Sequence, residues 1–411
     1  MYIAVTALKA QSANVSAISN NLANSETIGY KTTNATFASL VTGTGSVTNF
    51  TGAGVIVDPS QNISDQGLIV GTNSSTDLAI DGDGFFVVTD SANGDVYYYT
   101  RAGDFHTDAD GNLVNSNGYY LQGYPTDTDG EVTGDLSTVN LEEVNGTAVA
   151  TDEISLEANL PADAAVGDVV TTEVEIYDSQ GVAHTVDLSY TKTADNTWTM
   201  AVAADDGTVT LTDTGGADIT ATGATITFNE DGTLAASDLG SIDIAWTASG
   251  AADSSITYDA GTSDMANGLS QYASSDGEAD IEVDTIDQNG VQYGSFYSAT
   301  VTEDGMVYAN FSNGISYPIY QVPLATFPNA NGLEAVSGTA YSPTVQSGSP
   351  TLNNPNTADA GSINAGAVES STVDTADEFS NLIVAQQAYS AASEIISSAQ
   401  EMFDDLISAK R

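Results

Sequence analysis

The sequence has no cysteine. That excludes disulfide staples and thiolate zinc sites, and leaves the redox compartment open. Positive charge is almost missing too: six Lys and Arg stand against 56 Asp and Glu in 411 residues, a formal net charge of −50. Phosphate contacts require Lys and Arg, so nucleic-acid binding is excluded, and anionic membranes would repel the chain. Proline is scarce at nine residues and histidine scarcer at two. His106 and His184 lie far apart and in no metal spacing such as H-E-x-x-H. No run of about 18 apolar residues occurs, so no helix is expected to span a membrane. No basic leader precedes the apolar start, so a secreted chain of this kind is expected to leave without losing a signal peptide.

What is present suits a folded, strand-rich protein. Hydrophobic residues make up 41% of the chain, enough for real cores, and 38 glycines suit many short strands and turns. The charge is uneven. Residues 1–31 carry Lys9, Lys31 and a single acid, Glu26, whereas the middle of the chain holds most of the acids and only Arg101 and Lys192 as bases. A solvated acidic surface that keeps the protein soluble is the plain reading. Adaptation to salty surroundings, or many weak cation sites, is the sharper one.

The two ends share a pattern. Ala4, Leu8, Gln11, Val15, Ile18 and Leu22 recur at alternating spacings of four and three, a narrow coiled-coil seam that predicts a helix ending near Asn24. Leu382, Ala385, Tyr389, Ala392, Ile396, Ala399, Phe403 and Leu406 repeat the pattern at the other end, where alternation of large residues with Ala lets another helix approach closely. Asp374 or Thr375 is the expected N-cap. Asp377 and Glu378 in the first turn, and Lys410 and Arg411 at the end, suit the helix dipole.

Between these helices the chain alternates strands and Asp-Gly turns. The expected fold is mainly β with α-helical termini. Residues 1–31 and 368–411 form a coiled-coil-like core domain, and 32–75 and 335–367 are extended connectors with short β pieces. Residues 76–144 and 266–334 form an inner β domain, and 145–265 an inserted outer β domain. Nesting of this kind brings the two terminal helices to the same end, where they pair.

The segment from Asn20 and Asn21 through Ala23, Asn24, Thr27 and Gly29 to Tyr30 and Lys31 resembles the N-terminal signature of the bacterial flagellar rod and hook proteins. Glu369, Ser370, Val373 and Asp374, followed by Glu378, Phe379, Gln386 and Tyr389, resemble the C-terminal signature of the same family. Gln387 stands where an Arg is common and Ala392 where an Asn is common. Asn159-Leu160-Pro161, Val174 to Gly181 and Phe228 to Leu234 look like the inserted domain of the hook members. The resemblance implies a structural, non-enzymatic subunit without cofactors, extracellular in the flagellum, polymerising with itself into a curved hollow tube that works as a universal joint. It implies as partners the distal rod, the hook cap, the hook–filament junction proteins and the flagellar type III export apparatus.

On that reading the helical seam, carried by Leu8, Val15, Ile18, Leu22, Leu382, Tyr389, Ile396, Phe403 and Leu406, packs between subunits, and the β domains on their connectors slide. Lys31 is expected to meet an acidic neighbour in the polymer. Two alternatives remain: a distal-rod-type axial protein, and an acidic calcium-dependent adhesin. The second rests on Asp81 to Gly84, Asp108 to Gly111 and Asp127 to Gly130, which echo calcium loops without the full ligand pattern.

Overall fold

The computed structural model describes residues 2–41, 52–142, 144, 146–247, 250–265, 267–274 and 279–409. Lys410 and Arg411, expected to complement the helix dipole, lie outside the described residues. The chain divides into two compact units, one of residues 1–144, 298–310 and 316–411, the other of residues 145–297 and 311–315. Residues 266–297, grouped above with the inner β domain, thus lie in the second unit.

The first unit begins with helix α1 (Tyr2–Ala23) and ends with helix α2 (Thr375–Ala409). Neither contains Gly or Pro, so nothing in their interiors interrupts the backbone ladder. Asp374 is the N-cap of α2: its carboxylate accepts from the amides of Ala376 at 2.9 Å and Asp377 at 3.3 Å.

After α1 the chain forms a long hairpin of β1 (Thr33–Val41) and β2 (Gly52–Gln61), in antiparallel register from Thr33 opposite Gln61 to Leu40 opposite Gly54. This stretch was expected to be a connector. Its β-branched content favours strand, and α1 packs along the hairpin, supplying the support that two strands alone lack. At Gly54 a side chain would meet Thr6 Oγ1, so glycine is what permits the close approach.

The body of this unit is an antiparallel sheet centred on Phe85–Thr89, every residue of which is buried. It pairs with Tyr97–Thr100, Tyr120–Pro125 and Leu324–Thr326. Edge-to-face rings fill the core, with Phe85 5.9 Å from Phe327 and 6.0 Å from Tyr341, and Tyr99 4.8 Å from Phe327. Two further antiparallel pairs tie the outgoing chain to the returning one: Leu78–Asp81 with Ser362–Ala365, and Ile69–Gly71 with Ala367–Glu369.

The second unit is a β-sandwich. One sheet runs Val169–Tyr177, Ala183–Ala194, Thr197–Ala204, Ala224–Phe228 and Leu234–Ser237, all antiparallel. The other contains Glu153–Asn159, which pairs in parallel with Ser254–Asp259 and antiparallel with Glu282–Gln288. Alternate residues of Ala183–Ala194 are buried, as a strand with one core-facing side requires. Trp198, Tyr190, Leu188, Ile226, Ile154 and Ile244 lie in the core. The polar ends of its rings are satisfied there: Trp198 Nε1 donates to Gln271 at 3.2 Å, and Tyr190 and Tyr258 share a hydroxyl bond of 2.8 Å.

Candidate functional site

The two helices pack as an antiparallel hairpin, because the end of α1 meets the start of α2: Asn21 Nδ2 donates to Glu378 Oε1 at 2.8 Å. Small residues are buried on both helices. Ala4, Ala10 and Ile18 of α1 are buried, as are Ala385 and Ala392 of α2. Each fully buried larger apolar side chain contributes roughly 1.5–3 kcal/mol, so an interface of alanines relies on close backbone approach more than on burial area.

Below the hairpin lies a junction built from both terminal signatures. Asn21 is buried and uses its whole amide. Besides Glu378, it donates to the Thr33 carbonyl at 2.9 Å and accepts from the Thr33 amide at 3.0 Å and the Tyr30 hydroxyl at 3.1 Å. Asn20 donates to that hydroxyl at 3.1 Å. Burial pushes the Tyr30 phenol up, the Thr33 bond opposes this and Glu378 adds to it. Gly29 sits at φ +67°, and its amide donates to the Glu369 carbonyl at 2.8 Å. A Cβ here would lie 2.6 Å from the Ala102 nitrogen, so only glycine fits.

At the centre is Glu369, fully buried. Its carboxylate is held by the Lys31 ammonium, by Arg101 Nη1 at 3.2 Å and by the Gly67 amide at 2.6 Å. Lys31 is itself fully buried and also donates to the Asp65 carbonyl. Arg101 Nη2 donates to the Gly82 carbonyl at 2.8 Å. Burial pushes the Lys31 amine below its ordinary range, and Glu369 pulls the other way. The acidic neighbour expected for Lys31 in another subunit is therefore supplied by its own chain.

Ser370 donates its amide and hydroxyl to the Leu68 carbonyl, each at 2.9 Å, and Thr27 bonds Asn24 at 3.2 Å. Val373 is half-buried, while Ala23, Phe379, Gln386 and Tyr389 are exposed and take no part in the junction. Of the seam residues, Ile18 is buried, Leu8, Val15, Leu22, Leu382 and Ile396 are half-buried, and Tyr389, Phe403 and Leu406 are exposed. Sequence reasoning missed Arg101, Gly67 and the Gly82 carbonyl. The available signal was Arg101 itself, a cation in a stretch nearly devoid of them.

Three of the four described basic residues, Lys31, Arg101 and Lys192, are buried. Lys192 lies in the second unit, where it donates to the Ala162 carbonyl at 2.6 Å and the Ala164 carbonyl at 2.9 Å. In two of the three calcium-like runs the leading carboxylate is turned onto its own backbone, and in the third Asp81 accepts from Gln66 Nε2 at 3.2 Å. Asp108 accepts from the amides of Asp110 at 2.9 Å and Asn112 at 2.8 Å, and Asp127 from those of Asp129 at 3.1 Å and Glu131 at 2.9 Å. Among the described residues no cluster of His, Asp or Glu is arranged to hold a metal ion.

Four family models match parts of the chain in order. Residues 1–31 match the flagella basal body rod protein family, and residues 79–176 the D1 domain of flagellar hook protein FlgE/F/G. Residues 140–306 match the flagellar basal body protein FlaE D2 domain, and 364–409 the C-terminal region of flagellar basal body rod FlgEFG protein. Over 424 residues the chain is 34% identical to the flagellar hook protein FlgE of Rhizobium meliloti (strain 1021), covering all of this chain and 98% of that one. The chain belongs to the flagellar hook protein FlgE family. It is a structural subunit of the flagellar hook. The FlgE of Brucella suis biovar 1 is 32% identical over 420 residues, covering 100% of this chain and 98% of its own. That of Escherichia coli K12 is 31% identical over 423 residues, covering 99% of both chains. In this hook subunit the buried junction is where the two signatures meet: residues 20–31 lie in the first matched segment and 369–378 in the last.

Proposed function

We propose that copies of this chain polymerise through their terminal helices into a hollow, curved helical tube that acts as a universal joint, passing motor torque to the filament. The observation that carries this is the exposure of large apolar side chains along α2, Ile383, Val384, Ile395, Met402, Phe403 and Leu406 among them. The hairpin with α1 leaves these uncovered, and a helix apolar on more than one side needs a second helical neighbour. The seam residues Leu8, Val15, Ile18, Leu22, Leu382, Tyr389, Ile396, Phe403 and Leu406 then serve twice. Ile18 and the half-buried members close the hairpin, and the exposed ones face other copies. The junction around Glu369 fixes the helices to the β body, so that force on one reaches the other. Subunits leave through the flagellar type III apparatus without losing a signal peptide, and meet the distal rod, the hook cap and the junction proteins. Immunogold labelling of intact cells with an antibody to residues 157–265 tests this. Label on a short curved segment at the flagellar base is expected. Label over the whole cell surface would refute it in favour of an adhesin, and label only after the envelope is stripped would point to a rod protein.

A further inference from the structure

A cleft opens beside the buried junction, within the first unit. Its volume is about 700 Å³, inside the roughly 300–1,000 Å³ usual for small-molecule sites. Arg101, Phe85, Phe327, Pro328, Asp83 and Asp359 are among the residues that line it. Arg101 and Phe85 are each only 2% exposed, so they make its inner side. The Arg101 guanidinium lies 5.2 Å from the centre of the Phe85 ring. Asp83 and Asp359 are exposed and make the rim. The Gly361 amide donates to the Asp83 carbonyl at 2.7 Å, which ties the two acidic loops together.

The inner side lacks an acceptor. Arg101 gives Nη1 to Glu369 and Nη2 to the Gly82 carbonyl, but its Nε is buried with no hydrogen-bond partner. Buried donors are almost always paired, because leaving one unpaired is costly. Lys31 and Arg101 also outnumber Glu369, so the buried set has one more cation than anion. Both shortfalls call for an anionic acceptor beside Arg101. A simple anion would be repelled at the rim, where neither Asp83 nor Asp359 has an ion-pair partner among the described residues. A molecule with a carboxylate at one end and an ammonium at the other satisfies both signs. The half-buried Phe327 and the exposed Pro328 add an apolar wall.

We propose that this cleft binds a zwitterionic amino acid with a large apolar side chain. The carboxylate accepts from Arg101 Nε, the ammonium lies between Asp83 and Asp359, and the side chain packs on Phe327 and Pro328. Binding completes the hydrogen bonding of Arg101 and so stabilises the first unit. The site is separate from the terminal helices and does not depend on assembly.

Calorimetry on the full-length chain, with L-phenylalanine and L-leucine as probes, tests it. Saturable binding is expected, with a Kd of about 1 mM or below. Phenylacetate lacks the ammonium and phenethylamine lacks the carboxylate, and each is expected to bind at least about ten-fold more weakly than L-phenylalanine. The double variant Asp83→Asn, Asp359→Asn alters two exposed side chains and keeps the fold. It is expected to weaken L-phenylalanine about ten-fold and to leave phenylacetate no weaker. Hydrogen exchange locates the site: L-phenylalanine is expected to protect residues 84–86 and 325–327 and to leave 198–203 of the second unit unchanged. No saturable heat from either amino acid up to about 10 mM overturns the proposal. So does equal affinity for either one-charge analogue, unaltered binding by the double variant, or protection confined to the second unit.

Discussion

Removing the Glu369 carboxylate while keeping its two cations is the most informative perturbation of the junction. Lys31, Arg101 and Glu369 form a buried set of two positive charges and one negative. Glu369→Ala leaves both cations buried without a counter-charge, and breaking a buried pair in this way costs about 3–5 kcal/mol. Lys31→Met instead leaves one cation and one anion, with Arg101 still on Glu369, and gives up chiefly the bonds of Lys31 to Asp65 and Glu369. Its cost is therefore about 1–2 kcal/mol. Out of a typical total of about 5–15 kcal/mol the first loss is severe and the second tolerable. The two units allow an internal control. Both tryptophans, Trp198 and Trp246, are buried in the second unit, so intrinsic fluorescence during urea unfolding follows that unit. Hydrogen exchange at residues 85–88 and 324–326 follows the first. Glu369→Ala is expected to raise exchange in those strands while the fluorescence midpoint stays put. A loss below about 1 kcal/mol, or a Lys31→Met cost as large as that of Glu369→Ala, would refute the charge accounting.

Gly29→Ala is expected to destabilise the first unit by about 2–4 kcal/mol, because a left-handed φ and a Cβ against the Ala102 backbone cannot both be relieved locally; unchanged urea unfolding would contradict this. Alkaline pH should attack the second unit through Tyr190 and Tyr258, whose phenols are pushed above the usual 10.0 by burial. A raised pKa gives stability that is present below the ordinary value and lost as pH rises through the raised one. Absorbance of these two tyrosinates should thus appear only as tryptophan fluorescence reports unfolding; all 19 tyrosines titrating together in native protein would exclude it. Assembly of a chain carrying −50 should weaken as salt falls from about 0.15 M, where the Debye length is about 8 Å, to about 0.01 M, where it is about 30 Å. Light scattering would show this, and tubes equally stable at both strengths would argue against it.

The terminal helices were legible because a heptad is a local, periodic signal that survives in any context. The turns were legible for a related reason. An Asp or Asn three residues before a Gly fixes its own backbone, as Gly130 does by donating its amide to the Asp127 carbonyl at 3.1 Å and Gly181 to that of Asp178 at 2.9 Å. The hairpin of β1 and β2 was not legible. Its Thr, Ser and Gly content resembles a linker, and what makes it strand is the helix lying on it, a tertiary effect. The partners of Lys31 were hidden for a similar reason. Asp65 lies 34 residues away and Glu369 lies 338 away, so no sequence window contains the set. Position of the two signatures at opposite ends of the chain hinted that they meet; it did not say that Arg101 would complete the site.

The scarcity of cations gives the strongest link between composition and mechanism. Many basic residues spread over the surface of so acidic a chain would each be drawn to any of dozens of carboxylates, in their own molecule or a neighbour's, and together would specify nothing. Burial removes that ambiguity. Lys31 and Arg101 each find one carboxylate and one carbonyl, and Lys192 finds two carbonyls, so each cation is committed to a single place in the fold. Among the described residues what remains outside is nearly all negative, and it opposes the association of copies. Specificity of contact between copies then needs few positive charges, because the repulsive background excludes the wrong registers.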